Sequence, residues 1–274
     1  EMANRRQLDI CCLQETRWKR EGARTFGNYK FFWAGNREGT AGVGFLVEEG
    51  WVDKVLQVTR YSERIMLLRV RVGKSVLCVV SVYAPQVGRT MEEKEEFFVS
   101  LGEVLSTVDA KERLVVCGDM NGHVGARKDG FEGVHGGYGY GERNAEGEML
   151  LEFADAMKLV VANTWFKKED HRLVTYESGG CRTVVDYILV RREELRWLTN
   201  ATVVRSEPSL QQHKLLMGTL QLEDCRRMKE KTVFVSKCKV WKLKEPAIRQ
   251  AFEAEVKERS AQRVDDEDDV QRVC

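Results

Sequence analysis

Neither sign of charge dominates this sequence: 44 Lys and Arg stand against 43 Asp and Glu, a formal net charge of +1 over 274 residues. Bulk charge therefore does not mark a polyanion binder, and any basic face has to be local. Long apolar runs are also missing, and no stretch reaches the roughly 20 residues that span a bilayer. The opening EMANRRQLDI lacks the apolar segment of a secretory leader, and residue 1 is Glu rather than Met. We read the chain as starting partway into a longer protein. Eight cysteines include no C-x-x-C pair, and no His lies at zinc-ligand spacing from them. Cys11, Cys12, Cys78 and Cys117 sit in apolar runs, the pattern of free buried thiols in a reducing compartment. At 43% hydrophobic, the chain can build one large domain or two small ones.

What is present is a series of short apolar segments over residues 1–222. LDICCLQ (8–14), YKFFW (29–33), VGFLV (43–47), IMLLRVRV (65–72) and SVLCVVSVY (75–83) read as strands, the last two as a hairpin across Gly73-Lys74. Pro85 stops the second of that pair. Thr90 caps a helix over 91–108 with an acidic first turn and Phe97, Leu101 and Leu105 on one face. RLVVCGD (113–119) is another strand, and 122–147 is a glycine-rich loop. GEMLLEFADAMK (147–158) has helical spacing. Strands follow in LVVAN, LVTYES, VVDYILV, ATVVRS and LLMGTLQL. Many strands with helices between them predict an α/β sandwich, sheets covered by helices. After Leu222 the character changes: 223–274 is expected to hold a basic linker, an amphipathic helix opened by Pro246 and an acidic tail.

Several polar residues share one placement, at the end of an apolar strand or next to one: Glu15 after LDICCLQ, Tyr83, Asp119 and Asn121 after RLVVC, Asp186 inside VVDYILV, and His213 before LLMGTL. Strand ends on one edge of a layered α/β domain converge on the functional face. A Glu, Asp, Asn, Asp, His set suits one divalent cation and one phosphate. A hard cation such as Mg2+ takes carboxylate oxygens, for which Glu15 is the candidate ligand. Asp119 can accept the proton of an in-line water, and Asn121 can orient that water. Donors on His213 and Tyr83 would offset the charge that gathers on the phosphate. Asp186 would hold the imidazole oriented and charged. Each residue alone also has a plain structural role; Asp-x-Asn in particular is a common turn. Gly118 and Gly122 are expected to leave room for metal, water and substrate backbone.

CLQET, SVYAP, GDMNG, VDYILV and QH before an apolar strand, in that order, resemble the endonuclease/exonuclease/phosphatase family over nearly all of 7–222. CCLQETRWK, GYGYGERNAEGEMLLEF, TYESGG and QHKLL are similar to the endonuclease domain of RTE/BovB-type LINE retrotransposons, and VWKLKEPAIRQAF to the linker before their reverse transcriptase. The resemblance implies a four-layered α/β sandwich, Mg2+ dependence (Mn2+ as a substitute), DNA as substrate, nicking that leaves a 3′-hydroxyl, and action in the nucleus. A reverse transcriptase domain would follow in an intact element, with no membrane association. It carries Glu15 over as metal ligand and Asp119, Asn121, Tyr83, Asp186 and His213 as catalytic residues. Thr175 and Asn144 carry over as substrate-contacting positions. The family's first strand, with an asparagine near the metal, is missing here, and Gln212 stands where the wider family has Asp. Two other readings use the same residues: an abasic-site nuclease or phosphatase of this fold, and an inactive copy serving as a DNA- or protein-binding module.

Overall fold

The structure is a computed structural model and describes residues 2–204 and 212–222, with residues 250 and 253. The chain divides into two units, Glu1–Arg226 and Arg227–Cys274. The expected basic linker and acidic tail lie outside the described residues, as does the amphipathic helix apart from residues 250 and 253.

Short helix α1 (Met2–Arg5) leads into β1 (Ile10–Leu13), β2 (Glu21–Phe26), β3 (Tyr29–Ala34) and β4 (Val43–Glu48), which form a four-stranded sheet in the order β1-β4-β3-β2. After one helical turn, α2 (Glu49–Val52), come β5 (Val55–Arg60), β6 (Ile65–Val72), β7 (Ser75–Tyr83), β8 (Arg113–Asp119), β9 (Leu159–Val161) and, later, β12 (Asp186–Arg191). These six make the central sheet, ordered β5-β6-β7-β8-β12-β9. Its one parallel pair, β7 with β8, is bridged by α3 (Met91–Ser106), since parallel neighbours need a crossover. Two further pairs complete the unit: β10 (Tyr176–Ser178) with β11 (Cys181–Thr183), and β13 (Leu198–Val203) with β14 (Leu216–Leu220).

The α3 cap is as the sequence predicts, and complete: Thr90 Oγ1 accepts from Glu93 N and Glu93 Oε2 accepts from Thr90 N. Helix α4 (Ala145–Ala156) starts two residues earlier than its apolar spacing suggests, because Asn144 caps it. β2, β5 and β11 escape the sequence reading. β2 in particular is exposed at nearly every position, so it lacks the alternation that marks a strand.

Alternation along the central strands builds two cores. Cys78, Val80, Val82, Leu114, Val116 and Leu189 face α3 and α4. Leu77, Val79, Val115, Ile188 and Val190 face the four-stranded sheet and the β13–β14 pair, meeting Phe32, Val43, Phe45, Leu198 and Ala201. The result is a mixed α/β sandwich with the two long helices on one outer face. Truncating a fully buried residue such as Leu101 or Leu189 to Ala would cost about 2–5 kcal/mol. Cys11 and Cys78 are buried, Cys12 and Cys117 half-buried, and all four are free thiols.

Candidate active site

Strand register assembles the cluster. Tyr83 and Asp119 end β7 and β8 and lie opposite each other; Asp186 opens β12 and lies opposite Asp119. All three are in phase with Val79, Val115 and Ile188, which pack between the sheets. Their side chains therefore project at the mouth of the inter-sheet space. Glu15 reaches the same mouth from the other sheet, just past β1. Ser81 of β7 holds that strand end, donating to Leu13 O at 3.5 Å and accepting from Gln14 Nε2 at 3.3 Å. His213 arrives from the segment before β14 and bridges to Tyr176 of β10.

Tyr83 donates its hydroxyl hydrogen to Glu15 Oε1 at 2.6 Å and accepts from Gln86 Nε2 at 3.3 Å. Burial, then the Glu15 carboxylate, raises the Tyr83 pKa, so the phenol stays a donor at neutral pH. Glu15 Oε2 also accepts from Arg17 at 3.2 Å. Asp119 is 4% exposed and takes the Asn121 N–H at 2.9 Å. Burial and the nearby Asp186 charge push its pKa up to about 7, against the pull of that N–H and of His213. His213 Nδ1 lies 3.1 Å from Asp186 Oδ2, and its Nε2 lies 3.9 Å from Asp119 Oδ2. Burial opposes a charged imidazole. The carboxylates of Asp186, Asp119 and Glu15 outweigh it, and the His213 pKa is raised. The ring stands edge-on to Tyr176, centroids 4.9 Å apart.

Six of the eight sequence-derived residues thus meet: Glu15, Tyr83, Asp119, Asn121, Asp186 and His213. Asp119 and Asn121 also form the plain turn, since Asn121 has φ +48° and its Nδ2 donates to Ala84 O at 2.8 Å. Thr175 is fully buried; its Oγ1 accepts from the main-chain N–H of Val185 and of Asp186, at 3.0 and 3.1 Å. Asn144 caps α4 and accepts from His123 N at 2.8 Å, so it ties down the loop that follows Asn121. Gln212 donates to Ser178 Oγ at 3.0 Å, on the β10 side.

The glycines correct one expectation. A Cβ at Gly118 would lie 1.9 Å from Val82 O, and one at Gly122 would lie 2.7 Å from the Glu146 carbonyl carbon. Both make room for the protein's own backbone, where the sequence suggested metal or substrate.

Two residues of the site were not foreseen. Asn163 donates to Asp186 O and accepts from Ile188 N, both at 2.9 Å, clamping the start of β12. The buried Tyr187 hydroxyl sits within reach of Val184 O (2.8 Å) and Gly122 O (3.0 Å) and accepts from Val124 N (3.2 Å). It joins the loop after Asn121 to the approach to Asp186. Asn163 did carry the shared signal, a polar residue ending the apolar run LVVA.

Ligand atoms of Asp119, Asp186 and His213 lie within 4.8 Å of one another, a group able to hold a metal ion. Glu15 lies outside that trio. Carboxylate oxygens of this kind suit a hard divalent cation, so the donor set fits one.

The model of the Endonuclease/Exonuclease/phosphatase family matches residues 2–199. The chain belongs to that family. The match takes in every member of the cluster except His213. Two curated relatives are named craniofacial development protein 2: one from Bos taurus, 27% identical over 222 residues, and one from Tragulus javanicus, 26% identical over 226. These alignments take in 79% and 80% of this chain but 37% and 38% of the relatives, so the chain spans under two-fifths of their length. Among solved structures, the endonuclease domain of TRAS1, a telomere-specific non-LTR retrotransposon, aligns with TM-score 0.56 and 17% identity over 81% of this chain and 90% of that one. An AP endonuclease from Archaeoglobus fulgidus gives TM-score 0.60, 15% identity, 81% and 92% coverage. The 3′ phosphatase NExo from Neisseria, bound to a product DNA hairpin, gives 0.58, 16%, 81% and 94%. At these identities the likeness is one of fold.

Proposed function

We propose that this chain is a Mg2+-dependent DNA endonuclease of retrotransposon origin, which hydrolyses a phosphodiester and leaves a 3′-hydroxyl. The observation that carries the reading is the imidazole of His213 set between Asp186 and the buried Asp119, with the Tyr83–Glu15 pair beside it. The family membership supports phosphoester hydrolysis as the chemistry. The retrotransposon side of the reading rests on the sequence motifs CCLQETRWK, GYGYGERNAEGEMLLEF, TYESGG and QHKLL and their resemblance to RTE/BovB-type endonuclease domains.

Each group has a role its surroundings support. Asp119, with a pKa near neutrality in the metal-free protein, accepts a proton from a water held in line with the P–O3′ bond; the water oxygen bonds to phosphorus as that bond breaks, and the departing 3′ oxygen takes a proton from solvent to become the 3′-hydroxyl. Asn121 stands two residues on and orients that water. His213, kept charged by Asp186, donates to a phosphate oxygen as negative charge gathers there, and the Tyr83 hydroxyl does the same. Thr175 and Asn163 keep Asp186 in place through its main chain. Glu15 would be the ligand that holds Mg2+ or Mn2+, which when bound would neutralise phosphate charge and polarise the phosphorus centre. Gln212 is neutral and turned to Ser178, so it offers no acid here. The reaction belongs in the nucleus on this reading, with a reverse transcriptase domain downstream extending the new 3′ end. Among the described residues no helix is long and apolar enough to cross a membrane.

Nicking of supercoiled plasmid by the purified chain tests this. Open-circle product is expected with Mg2+, none with EDTA, and none with Asp119→Ala. A folded protein that binds DNA equally with and without Mg2+ and never nicks it would replace this reading with the binding module.

A further inference from the structure

The segment after Glu15 is built against local preference. Glu15, Arg17 and Arg20 all adopt positive φ, at 48°, 54° and 59°. Each left-handed non-glycine residue is strained and persists only where its surroundings over-determine it. Here they do. Thr16 and Arg17 donate their N–H groups to Gly42 O and Ala41 O, Arg20 donates to Asn36 O, and Gly35 N returns a bond to Arg20 O at 2.7 Å. No side chain could stand at Gly35, where a Cβ would lie 1.8 Å from Trp18 O. Trp18 turns inward onto the outer face of the four-stranded sheet, edge-on to Phe31 at 5.2 Å and to Trp33 at 4.6 Å.

The outcome is a rigid loop whose aromatic is anchored and whose cations point out. Arg17, Lys19 and Arg20 are exposed, and Arg24 is exposed on the adjoining edge strand β2. Among the described residues, only Arg17 of these has an acid partner, the Glu15 of the site itself. The nearest acid along the chain, Glu21, leans toward Arg60. In a chain of net charge +1, this is a local concentration of positive charge that begins two residues after Glu15 of the cluster. The tethers use the main chain of Lys19 and Arg20, and among the described residues their side chains make no hydrogen bond or ion pair.

We propose that Lys19 and Arg20 form a preorganised grip on the phosphate backbone of duplex DNA, flanking the phosphodiester that meets Asp119 and His213. The proposal rests on the DNA reading above. With their main chain held in place before binding, the two residues have only side-chain freedom to lose on contact, and each displaces counterions. Sequence plays no part in such a contact; it sets position along the strand.

Binding of the full 274-residue chain to a short duplex is measured in EDTA across a salt series, so that catalysis and metal are absent from the readout. The comparison is with Lys19→Gln/Arg20→Gln and with Lys111→Gln/Arg196→Gln, exposed cations beyond the opposite ends of β8 and β12. Neutralising two phosphate contacts should reduce the slope of log K against log salt by about 1.8 and weaken binding on the order of tenfold near 0.15 M salt; the control pair should change neither. Trp18→Ala should weaken binding with the cations still present, and Trp18→Phe should restore it. If the parent binds with a clear salt slope and Lys19→Gln/Arg20→Gln keeps that slope, the grip is refuted and the nuclease reading stands. If the parent binds no duplex at about 50 mM salt, both fall.

Discussion

Asp119 and Glu15 each stand just at or past the end of a strand and each face the same cluster, yet they reach it by different means. Asp119 is placed by the ladder itself: its neighbours Tyr83 and Asp186 are register partners, and its side chain follows the parity of Val115. Glu15 is held by a loop with three left-handed residues among six, tied to another loop through main-chain bonds. The first arrangement is rigid because the sheet is. The second is rigid only while its tethers hold. A site half built from each has one carboxylate fixed by the sheet and one fixed by loop tethers.

The largest test of this contrast is removal of the sheet-borne carboxylate. Asp119→Ala should lower the nicking rate by about 10³-fold or more while leaving DNA binding in EDTA intact, read by single-turnover assay. Loss of less than tenfold would shift the base role elsewhere.

The pH dependence of folding comes next. Asp119 has a folded pKa raised from 3.8 to about 7. A carboxyl group raised in this way favours the folded state below its unfolded pKa, and that contribution is lost as pH climbs toward 7. His213, raised as well, adds stability that is likewise lost as pH rises through its folded pKa. The metal-free protein should therefore lose stability between about pH 4 and 7, and Asp119→Asn should recover part of the loss at pH 8, at most about 4 kcal/mol. Urea melts in EDTA at pH 5 and pH 8 measure it. A variant less stable than the parent at pH 8 would contradict the assigned cause.

Asn163→Ala leaves the Asp186 carbonyl and the Ile188 N–H without their partner, at a cost of about 1–3 kcal/mol. Its nicking rate should drop about 10–100-fold with DNA affinity held, because Asp186 turns the imidazole. Asn163→Asp, which keeps the acceptor for Ile188, should fall between the two.

Smallest of all is strain relief in the loop. Arg20→Gly should change stability by no more than about 1 kcal/mol, since relief of the left-handed strain is offset by glycine's backbone entropy. DNA affinity should still fall. A large gain in stability would mean the loop is less well tethered than its hydrogen bonds imply.

Much of the first 222 residues was legible in the linear sequence. Near-continuous apolar runs marked β6, β7, β8 and β12, because a strand buried on both faces is apolar at nearly every position. Thr90 with Glu93 marked the start of α3, because capping is local chemistry. The polar residues of the cluster were legible because each interrupts or ends such a run. The exposed strand β2 was not, as an edge with both faces wet carries no pattern. Nor were Asn163 and Tyr187 as parts of the site, since their bonds reach Asp186, Ile188, Gly122 and Val124, partners that adjoin them in space and only partly in sequence.

By itself, then, the sequence determined which polar residues end or interrupt the apolar strands, since composition and local periodicity are properties of the chain. The tertiary structure decided their company. Pairing β8 between β7 and β12 set Tyr83, Asp119 and Asp186 side by side. It also made Gly118 and Gly122 accommodate backbone. Burial at that junction raised the Asp119 pKa toward neutrality. These depend on desolvation and on groups far apart along the chain, and neither exists until the sheets close.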